Sequence, residues 1–384
     1  MRITVVGAGP AGLYFAILMK KADPSREIRV FERDGADDTF GWGIVFSDQT
    51  FSYLRDNDEP TFEKIVAACE TWDNVDVVHR GQKISIRGNR FSGIARIAFL
   101  KILQRRAGEL GVDLQFHHNV SDVAGLLAAD LVVGADGANS QVRAHGASRF
   151  EPEVAAARNK YVWLGTPRLF HGLTLTFRHT EWGPFAAHSY KFSSSLSTFI
   201  VECGPDTWER AGFASMGERE TCQRLESIFR DDLDGAPLLT NNFVRWLNFT
   251  LVRNRRWHHD RVVMLGDALH TAHFSIGSGT KLALEDAIAL ATSFADHHPV
   301  EAALPEFERA RKPIVDALQN AALDSLRWFE NWSDAADLDP VVFAYRLMTR
   351  SGRIDREKLR QRDPDFVAAY ERAEGGSLRE GTPR

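Results

Sequence analysis

The segment GAGPAG at residues 7–12 lies between two apolar stretches, RITVV at residues 2–6 and a longer one that continues to Lys21. The first stretch has the pattern of a buried strand and the second that of a helix, so the glycines occupy the turn between them. Glycine permits a tight turn and lets a phosphate approach the backbone closely. The helix that begins here offers free N–H groups and the positive end of its dipole. The segment therefore predicts a phosphate-binding turn that opens a βαβ unit.

An acidic residue completes this pattern. Glu32 ends the next predicted strand, residues 27–32, and lies roughly 20 residues after Gly12, the spacing at which a carboxylate accepts hydrogen bonds from a ribose. Strand, turn, helix and acid together predict a dinucleotide-binding site, although they do not distinguish FAD from NAD. The predicted contacts to the nucleotide are made by Gly7, Gly9, Pro10, Ala11, Gly12, Glu32 and Arg33.

Two later segments have the form of turns at the ends of buried strands. GADGANSQVR at residues 134–143 follows the apolar strand 131–133, and GDALH at residues 266–270 follows the strand 261–265. An Asp-Gly pair by itself is usually only a turn. At the carboxyl edge of a parallel sheet, however, an aspartate can reach a ligand that lies along that edge.

The central part of the chain has a different pattern. Alternating segments between residues 160 and 203 favour antiparallel strands, and a helical pattern runs from about 302 to 349. We predict an α/β protein with a Rossmann-like nucleotide-binding fold, an inserted antiparallel-sheet lobe and C-terminal helices. The expected divisions are a discontinuous nucleotide-binding lobe at 1–155 and 245–300, the sheet lobe at 156–244, a helical region at 301–370 and a loose tail at 371–384.

Composition narrows the class of protein. The 384 residues include 44% hydrophobic and 26% charged residues, with a formal net charge of -5, which argues against a general nucleic-acid binder. No apolar run approaches the roughly 20 residues of a membrane span. Cys69, Cys203 and Cys222 lack metal-ligand spacing, so we expect free thiols and no metal site. The first strand is expected to begin at Arg2, which leaves no room for a signal peptide and predicts a cytoplasmic location.

In order and spacing, the three turns resemble the signatures of the class A flavoprotein monooxygenases, the family of para-hydroxybenzoate hydroxylase. Further segments resemble one branch more specifically, over about residues 1–335. That branch contains salicylyl-CoA 5-hydroxylases and 2-aminobenzoyl-CoA monooxygenases, and the tryptophan-ring hydroxylase of violacein biosynthesis is similar to it. The segments are FGWGIVFSD at 40–48, CETWD at 69–73, RNKYVWLGT at 158–166, STFIVEC at 197–203 and HFSIG at 273–277.

The resemblance implies a glutathione-reductase type of fold that binds FAD non-covalently. Gly7, Gly9, Gly12 and Glu32 would hold the ADP half of FAD, and a small-residue helix from Gly279 would point its N-terminus at the flavin. The residues expected near the flavin or the nucleotide are Trp42, Gly43, Arg96, Asp136, Gly266, Asp267, Gly277, Gly279 and Thr280. For Arg96 an exposed position on a helix is the alternative.

The same resemblance implies the chemistry. NADH or NADPH reduces FAD, O2 is captured, and a flavin C4a-hydroperoxide hydroxylates an electron-rich ring, so no protein nucleophile is needed. The implied substrate pocket contains Phe46, His188, Tyr190, His273 and Phe274. Most family members have prolines where this chain has His273 and Phe274, and His273 is the candidate for tuning the substrate or the hydroperoxide. The alternatives are ordinary: aromatic residues in strands often belong to the core, and a histidine in a sheet is usually structural.

The predicted substrate is a CoA thioester with an ortho hydroxyl or amino group, foremost salicylyl-CoA, hydroxylated at ring position 5 to gentisyl-CoA. Hydroxylation of 2-aminobenzoyl-CoA or of an indole or tryptophan-derived intermediate is the alternative. Two other classes stay open: a non-hydroxylating flavoenzyme such as a halogenase, although the chain has no Trp-x-Trp-x-Ile segment, and a flavin-binding protein without turnover. We expect a monomer or homodimer without nucleic-acid or membrane partners.

Overall fold

A computed structural model describes residues 1–241, 245–296 and 299–380. Their strands form one sheet of six strands and one of eight. In chain order the strands are β1 Arg2–Val6, β2 Glu27–Phe31, β3 Gly43–Ser47, β4 Glu70–His79, β5 Gln82–Ala95, β6 Asp113–Gln115, β7 Leu131–Gly134, β8 Pro152–Thr166, β9 Leu173–Thr180, β10 Gly183–Lys191, β11 Ser197–Cys203, β12 Leu247–Asn254, β13 His258–His259 and β14 Val262–Met264.

The α-helices carry their own numbering in chain order. They are α1 Pro10–Ala22, α2 Asp48–Asn57, α3 Glu59–Ala67, α4 Arg96–Glu109, α5 Gln141–His145, α6 Ala147–Phe150, α7 Pro205–Arg210, α8 Glu218–Ile228, α9 Arg230–Leu233, α10 Gly279–Asp296, α11 Val300–Glu330, α12 Pro340–Thr349, α13 Arg356–Arg362 and α14 Pro364–Glu380. Short 3-10 helices include Gly266–Ala268 and Phe274–Ile276. No helix in the described ranges is long and apolar enough to cross a bilayer.

The smaller sheet brings the glycine turns together. Its order is β13-β14-β7-β1-β2-β6, and β1 pairs in parallel with both β2 and β7, while β7 pairs in parallel with β14. Val6 lies opposite Gly134, and Gly134 lies opposite Met264. Because parallel strands end at the same edge, the segments that follow β1, β7 and β14 meet there. The predicted Rossmann-like arrangement is confirmed.

The larger sheet has the order β12-β8-β11-β10-β9-β4-β5-β3. It therefore includes strands from residues 43–95, which lie in the segment predicted to belong to the nucleotide-binding lobe. The boundary predicted at residue 155 does not separate the two sheets. The cause is the β4–β5 hairpin, which the sequence prediction does not include: β4 pairs with β9 and so joins residues 70–95 to the larger sheet. The hairpin turns at Arg80 and Gly81, both with positive φ, and it adds the strand β3 at one edge.

The C-terminal helices cover part of the larger sheet. Phe177 of β9 packs against Phe343 of α12, with ring centroids 4.8 Å apart, and against Phe329 at the end of α11, at 6.0 Å. This apolar contact fixes the end of α11 above the sheet. The tail prediction was wrong for residues 371–380, which continue α14, and residues 381–384 lie outside the described ranges.

A buried ionic network joins α10 and α11 to the turn after β14. Asp286 of α10 is fully buried; its Oδ2 lies 2.8 Å from His270 Nε2, and its Oδ1 accepts a hydrogen bond from Arg311 Nε at 2.9 Å. Arg311 also donates to Glu285 at 2.7 Å. Burial pushes the pKa of Asp286 upward, but His270 and Arg311 outweigh it and hold the pKa below its usual value. The ionised carboxylate is thus part of the fold.

We predict that Asp286→Ala lowers the free energy of unfolding by about 3–5 kcal/mol, because it leaves Arg311 and His270 buried without their partner. Stability from Asp286 is fully present above the unfolded pKa of about 3.9. It is lost as pH falls through the lower folded value, which urea titrations at several pH values measure. The exposed Asp56→Ala is the control and should change stability by less than about 0.5 kcal/mol. Equal effects of the two variants would contradict the network's role.

Candidate active site

The turn after β1 requires its glycines. Gly7 has φ +105, and a Cβ there would lie 2.2 Å from the Ala135 carbonyl oxygen; a Cβ on Gly12 would lie 2.2 Å from the Gly7 oxygen. A Cβ on Gly9 would meet no atom within 4 Å. Gly9 is the N-cap of α1 and makes no side-chain cap, and Pro10 begins the helix. The helix N-terminus is therefore open toward the cleft, where a pyrophosphate fits.

Glu32 shapes this turn as well as the ribose position. Its Oε2 accepts a hydrogen bond from the Ala8 N–H at 2.7 Å, and its Oε1 accepts one from the Asp34 N–H at 3.1 Å. Each carboxylate oxygen has a further lone pair for a ribose hydroxyl. Arg33, beside it, is half exposed and pairs with Asp34 at 3.2 Å. These residues line a cleft with about 960 Å³ of empty space that is open to solvent.

Asp136 has a local structural function. Its carboxylate accepts hydrogen bonds from the Ser140 hydroxyl and from the backbone N–H groups of Gln141, at 2.7 Å, and Val142, at 3.3 Å. It therefore braces the first turn of α5 beside the cleft. Arg143 of this helix donates to the Ala268 carbonyl oxygen at 2.9 Å. That bond ties the turn after β7 to the turn after β14.

Asp267 and Arg96 carry opposite charges and interact electrostatically with each other. Asp267 lies in the 3-10 helix after β14 and is solvent-accessible, yet the surrounding protein raises the pKa of its carboxyl while Arg96 opposes that shift. Arg96 is the first residue of α4, and its backbone N–H donates to the Trp42 oxygen at 2.8 Å. Its Nε is buried and has no hydrogen-bond partner among the described residues. A buried donor of this kind needs a partner, which a ligand in the cleft would supply.

The N-terminus of α10 is open in the same way as that of α1. Gly277, with φ +60, ends the 3-10 helix Phe274–Ile276, and α10 begins at Gly279 and Thr280. A Cβ on Gly277 or on Gly279 would meet nothing within 4 Å. A helix N-terminus stabilises negative charge, by about 0.3–1 kcal/mol at exposed sites. Together with the orphaned Arg96 Nε, these observations fit FAD, whose reduced ring carries negative charge and whose hydroxyls need acceptors.

A protein-family model described as an FAD binding domain matches residues 1–322. The chain belongs to this family. It is 42% identical to salicyloyl-CoA 5-hydroxylase of a Streptomyces species, over 99% of this chain and 74% of that one. It is 37% identical to 3-hydroxy-4-methyl-anthranilyl-[aryl-carrier protein] 5-monooxygenase of Streptosporangium sibiricum, over 94% and 97%. Protodeoxyviolaceinate monooxygenase of Chromobacterium violaceum is 33% identical, over 91% and 94%.

Solved structures show the same fold. Tetrameric 2-methyl-3-hydroxypyridine-5-carboxylic acid oxygenase has a TM-score of 0.68 at 19% identity, covering 94% of this chain and 97% of its own. Pseudomonas aeruginosa PqsL in complex with 2-aminobenzoylacetate has a TM-score of 0.68 at 18% identity, covering 88% and 98%. At such identities only the fold is compared. The family and the relatives establish an FAD-dependent monooxygenase of the aromatic-hydroxylase type, so the predictions of fold class, FAD and enzyme class are confirmed.

One face of the larger sheet is shielded by α7, α8 and α9. Val162, Leu164, Phe199 and Val201 are buried in that apolar layer. Because side chains alternate along a strand, their neighbours point to the opposite face, which is partly covered by the C-terminal helices. This second face, here called the inner face, carries Tyr161, His188, Tyr190, Thr198 and Glu202.

Tyr190 is tied to the segment before β3. Its hydroxyl donates to the Gly43 oxygen at 2.7 Å, and its ring stacks on Trp72 with centroids 5.9 Å apart. The N–H of Gly43 in turn donates to Thr198 Oγ1 at 3.0 Å. Trp42 lies against Gly165 of β8, where an added Cβ would be 2.7 Å from the Trp42 ring. Trp42 and Gly43, which the sequence predicts near the flavin, are therefore both fixed to the inner face.

His188 and Glu202 form a buried pair on this face. His188 Nε2 lies 2.7 Å from Glu202 Oε1, and Asn159 Nδ2 donates to Glu202 Oε2 at 3.2 Å. Glu202 is 1% exposed. Burial raises the pKa of Glu202, but the hydrogen bond and charge of His188 outweigh this and hold it below its usual value. A carboxylate is thus kept ionised inside the sheet.

His273 faces the same region from the loop before α10. Its Nδ1 lies 2.8 Å from Ser275 Oγ, which contacts Ser325 Oγ at 2.7 Å. Arg350 donates to Ser325 Oγ at 2.8 Å and to the Ser275 oxygen at 2.6 Å. Burial, together with the charges of His188 and Arg350, lowers the pKa of His273 to about 4, although Glu202 opposes the shift. The imidazole is therefore neutral at neutral pH.

The aromatic residues predicted for the pocket divide into two groups. Phe274 is only half-buried, and its ring lies 5.2 Å from His188, 5.1 Å from Tyr161 and 6.1 Å from Phe249, centroid to centroid. Phe46 is instead a core residue, 1% exposed and packed on Phe99 at 5.3 Å. The structure thus corrects the placement of Phe46, because its position on β3 turns it toward α4.

Several residues of the inner face were missed by the sequence analysis. Glu202 carried a usable signal, since an acidic residue in the apolar strand STFIVEC needs a buried partner. Asn159, Ser325 and Arg350 gave none. They come from parts of the chain that are far from Glu202 in sequence: Asn159 from β8, Ser325 from α11 and Arg350 from the end of α12. Local sequence pattern does not encode such contacts.

We predict that the purified protein is yellow and releases FAD on denaturation, since its open turns and unpaired Arg96 Nε form a non-covalent site. A colourless protein that cannot be reconstituted with FAD would contradict this. The released FAD is measured by the absorbance of the supernatant after the protein is precipitated with acid.

We further predict that Asp267→Ala raises the Kd for FAD by roughly tenfold or more, because a hydrogen bond to a charged group contributes about 1.5–3 kcal/mol. Asp267→Asn keeps an acceptor oxygen and should lose less. Asp56→Ala is the control, whereas Asp286→Ala would confuse binding with folding. Flavin fluorescence titration of the apoprotein measures the Kd. The same Kd for Asp267→Ala and Asp56→Ala would rule out the contact.

Proposed function

We propose that the enzyme hydroxylates an aryl-CoA thioester that bears an ortho hydroxyl or amino group. The first candidate is salicyloyl-CoA, the salicylyl-CoA of the sequence prediction, hydroxylated at ring position 5 to gentisyl-CoA. The observation that carries this proposal is the 42% identity with a salicyloyl-CoA 5-hydroxylase over 99% of this chain. The second relative acts, by its name, on a carrier-bound anthranilyl group at position 5.

FAD supplies the redox chemistry when it is bound, taking a hydride from NADH or NADPH and delivering one oxygen atom of O2 to the ring. The protein's part is binding and positioning. Gly7, Gly9, Gly12 and Glu32 would hold the ADP half, and Asp267 would accept a hydrogen bond from the ribityl chain. Arg96 and the N-terminus of α10 would face the flavin ring.

The inner face supplies a suitable place for the aromatic ring. Phe274, Tyr161 and Phe249 form an apolar wall, and His188 and His273 add polar atoms beside it. Such a wall excludes water from the reacting carbon and fixes the ring in one orientation. The ortho group of the substrate would then meet an imidazole.

A thioester fits the charges of this region better than a free carboxylate. Arg350 gives its guanidinium donors to Ser325 Oγ and to the backbone oxygens of Ser275 and Leu347. Burial lowers its pKa to about 10, although Glu202 opposes the shift. Because Glu202 already offsets the charge of Arg350, a free carboxylate would find little net positive charge here, whereas the carbonyl of a thioester needs only one neutral donor.

Six basic side chains that could pair with the phosphates of CoA do not carry the proposal. Each side chain has a partner already: Arg158 with the Glu330 carbonyl oxygen and Asn331, Lys160 with Asn248, Arg168 with Asp234, Arg253 with Asn320, and Arg255 and Arg256 with Glu151. Phosphates would compete with these contacts. The substrate assignment rests on the relatives and on the inner face.

Two alternative substrates are supported by relatives. The anthranilyl name of the second relative favours 2-aminobenzoyl-CoA, and the violacein-pathway relative favours an indole-derived compound. Hydroxylation would again be directed by the electron-donating nitrogen. We also propose a cytoplasmic monomer or homodimer, for which the three free cysteines give modest support.

The test compares salicyloyl-CoA, 2-aminobenzoyl-CoA, free salicylate and tryptophan-derived indoles. We expect a thioester to stimulate NADH or NADPH oxidation and to give hydroxylated product in near-stoichiometric amount. Free salicylate should stimulate little, because its carboxylate lacks an uncompensated positive partner at the inner face. Efficient hydroxylation of salicylate or an indole, with both thioesters inert, would refute the substrate proposal while the FAD assignment stands.

A further inference from the structure

The hydrogen-bond partners of His188 define its tautomer. An ionised Glu202 can only accept, so the neutral form of the His188 imidazole carries its proton on Nε2, which lies 2.7 Å from Glu202 Oε1. Nδ1 is then the lone-pair nitrogen. It has no hydrogen-bond partner among the described residues, although the ring is held between Phe274, at 5.2 Å, and Phe329, at 4.7 Å.

Glu202 is itself fixed in place. Asn159 holds its second oxygen, and the side chain of Tyr161 lies directly opposite on β8. A carboxylate oriented in this way fixes the ring and stabilises the imidazolium that forms when Nδ1 takes up a proton. The pair therefore has the geometry of a base with its orienting acid.

His273 has the opposite arrangement. The backbone N–H of Ser275 points at its Nδ1 at 3.4 Å, so Nδ1 accepts and the proton of the neutral ring is on Nε2. With a pKa of about 4, this ring is a poor base at neutral pH. Both imidazoles contact the ring of Phe274, His273 at 4.1 Å. The inner face thus offers one acceptor nitrogen and one donor N–H beside the same phenylalanine.

We propose that His188 is the catalytic base that removes the proton of the substrate's ortho hydroxyl, with Glu202 and Asn159 as its positioning residues, and that His273 donates a hydrogen bond to the thioester carbonyl. The proposal rests on the proposed function and assigns the base to the sheet histidine instead of His273.

The step is a proton transfer. The substrate O–H bond breaks, its electron pair stays on the oxygen, and an N–H bond forms at His188 Nδ1. The oxygen can then donate its charge into the ring at the para carbon, which is where an electrophilic oxygen atom attacks. The imidazolium becomes an ion pair with Glu202, so the buried positive charge has its partner at 2.7 Å.

The Tyr161 phenol, opposite Glu202 on β8, is not a competing base, since burial and then the charge of Asp267 raise its pKa.

The experiment compares wild type, His188→Gln and the control His179→Gln, an exposed histidine on neighbouring β9, each with equal FAD content. We expect His188→Gln to slow hydroxylation of salicyloyl-CoA by about 100-fold, as loss of a general base does, and to uncouple NAD(P)H oxidation from product. On 2-aminobenzoyl-CoA the loss should be at least tenfold smaller than on salicyloyl-CoA, because the neutral amine donates electrons without losing a proton first. Higher pH, which ionises the phenol in solution, should restore the variant's rate.

A second variant, Glu202→Gln, should slow the hydroxyl substrate by roughly tenfold and slow the amino substrate by several-fold less. The inference is overturned if His188→Gln matches His179→Gln on salicyloyl-CoA. It is overturned equally if the variant loses both substrates to the same extent at every pH, which is the behaviour of a structural residue. Failure of wild type on both thioesters would instead refute the proposed substrate. The comparison is then made on the phenol that the wild type hydroxylates.

Discussion

The parallel pairing of β1 with β7 and of β7 with β14 is the constraint on which the rest of the site depends. It sets three turns side by side at one edge, so closely that a Cβ on Gly7 would lie 2.2 Å from the Ala135 oxygen. The close approach excludes larger residues at Gly7 and Gly12, and no atom would contact a Cβ on Gly9 or Gly279, at the N-termini of α1 and α10. Arg143 and the Asp286 network then join the turns to the helices. The nucleotide site is therefore a consequence of strand register.

A second requirement comes from burying Glu202 in the larger sheet. An unpaired carboxylate in such a place would cost several kcal/mol, and this chain compensates it with Asn159, His188 and the nearby charge of Arg350. The same compensation fixes two tautomers. His188 is left with an accepting Nδ1, and His273, in contact with Ser275, with a donating Nε2. The two histidines therefore present complementary groups, an accepting nitrogen on His188 and a donating N–H on His273.

Sequence pattern was sufficient where the chemistry is local. The three turns, the acid Glu32 and the helix from Gly279 follow from glycine conformation and helix polarity, and each is where the pattern predicted. Sequence pattern failed where the position of a residue depends on partners that are distant in sequence. The β4–β5 hairpin joined the larger sheet because its alternating residues pair across it, and Phe46 turned into the core because β3 packs on α4. Arg350 reaches the site from the end of α12, over a distance in sequence that no local pattern spans.

The balance of charge connects the two halves of the site. Before proton transfer the carboxylate of Glu202 on the inner face is offset by the nearby guanidinium of Arg350. A free benzoate would add an uncompensated negative charge to this arrangement, at a cost that burial makes large. A neutral thioester adds none, and its ortho hydroxyl can release a proton to a nitrogen whose counter-ion is already in place. The charge that appears on the substrate oxygen is then matched by the imidazolium. Thus the buried pair makes the inner face suited to a neutral substrate that becomes an anion only after it is bound.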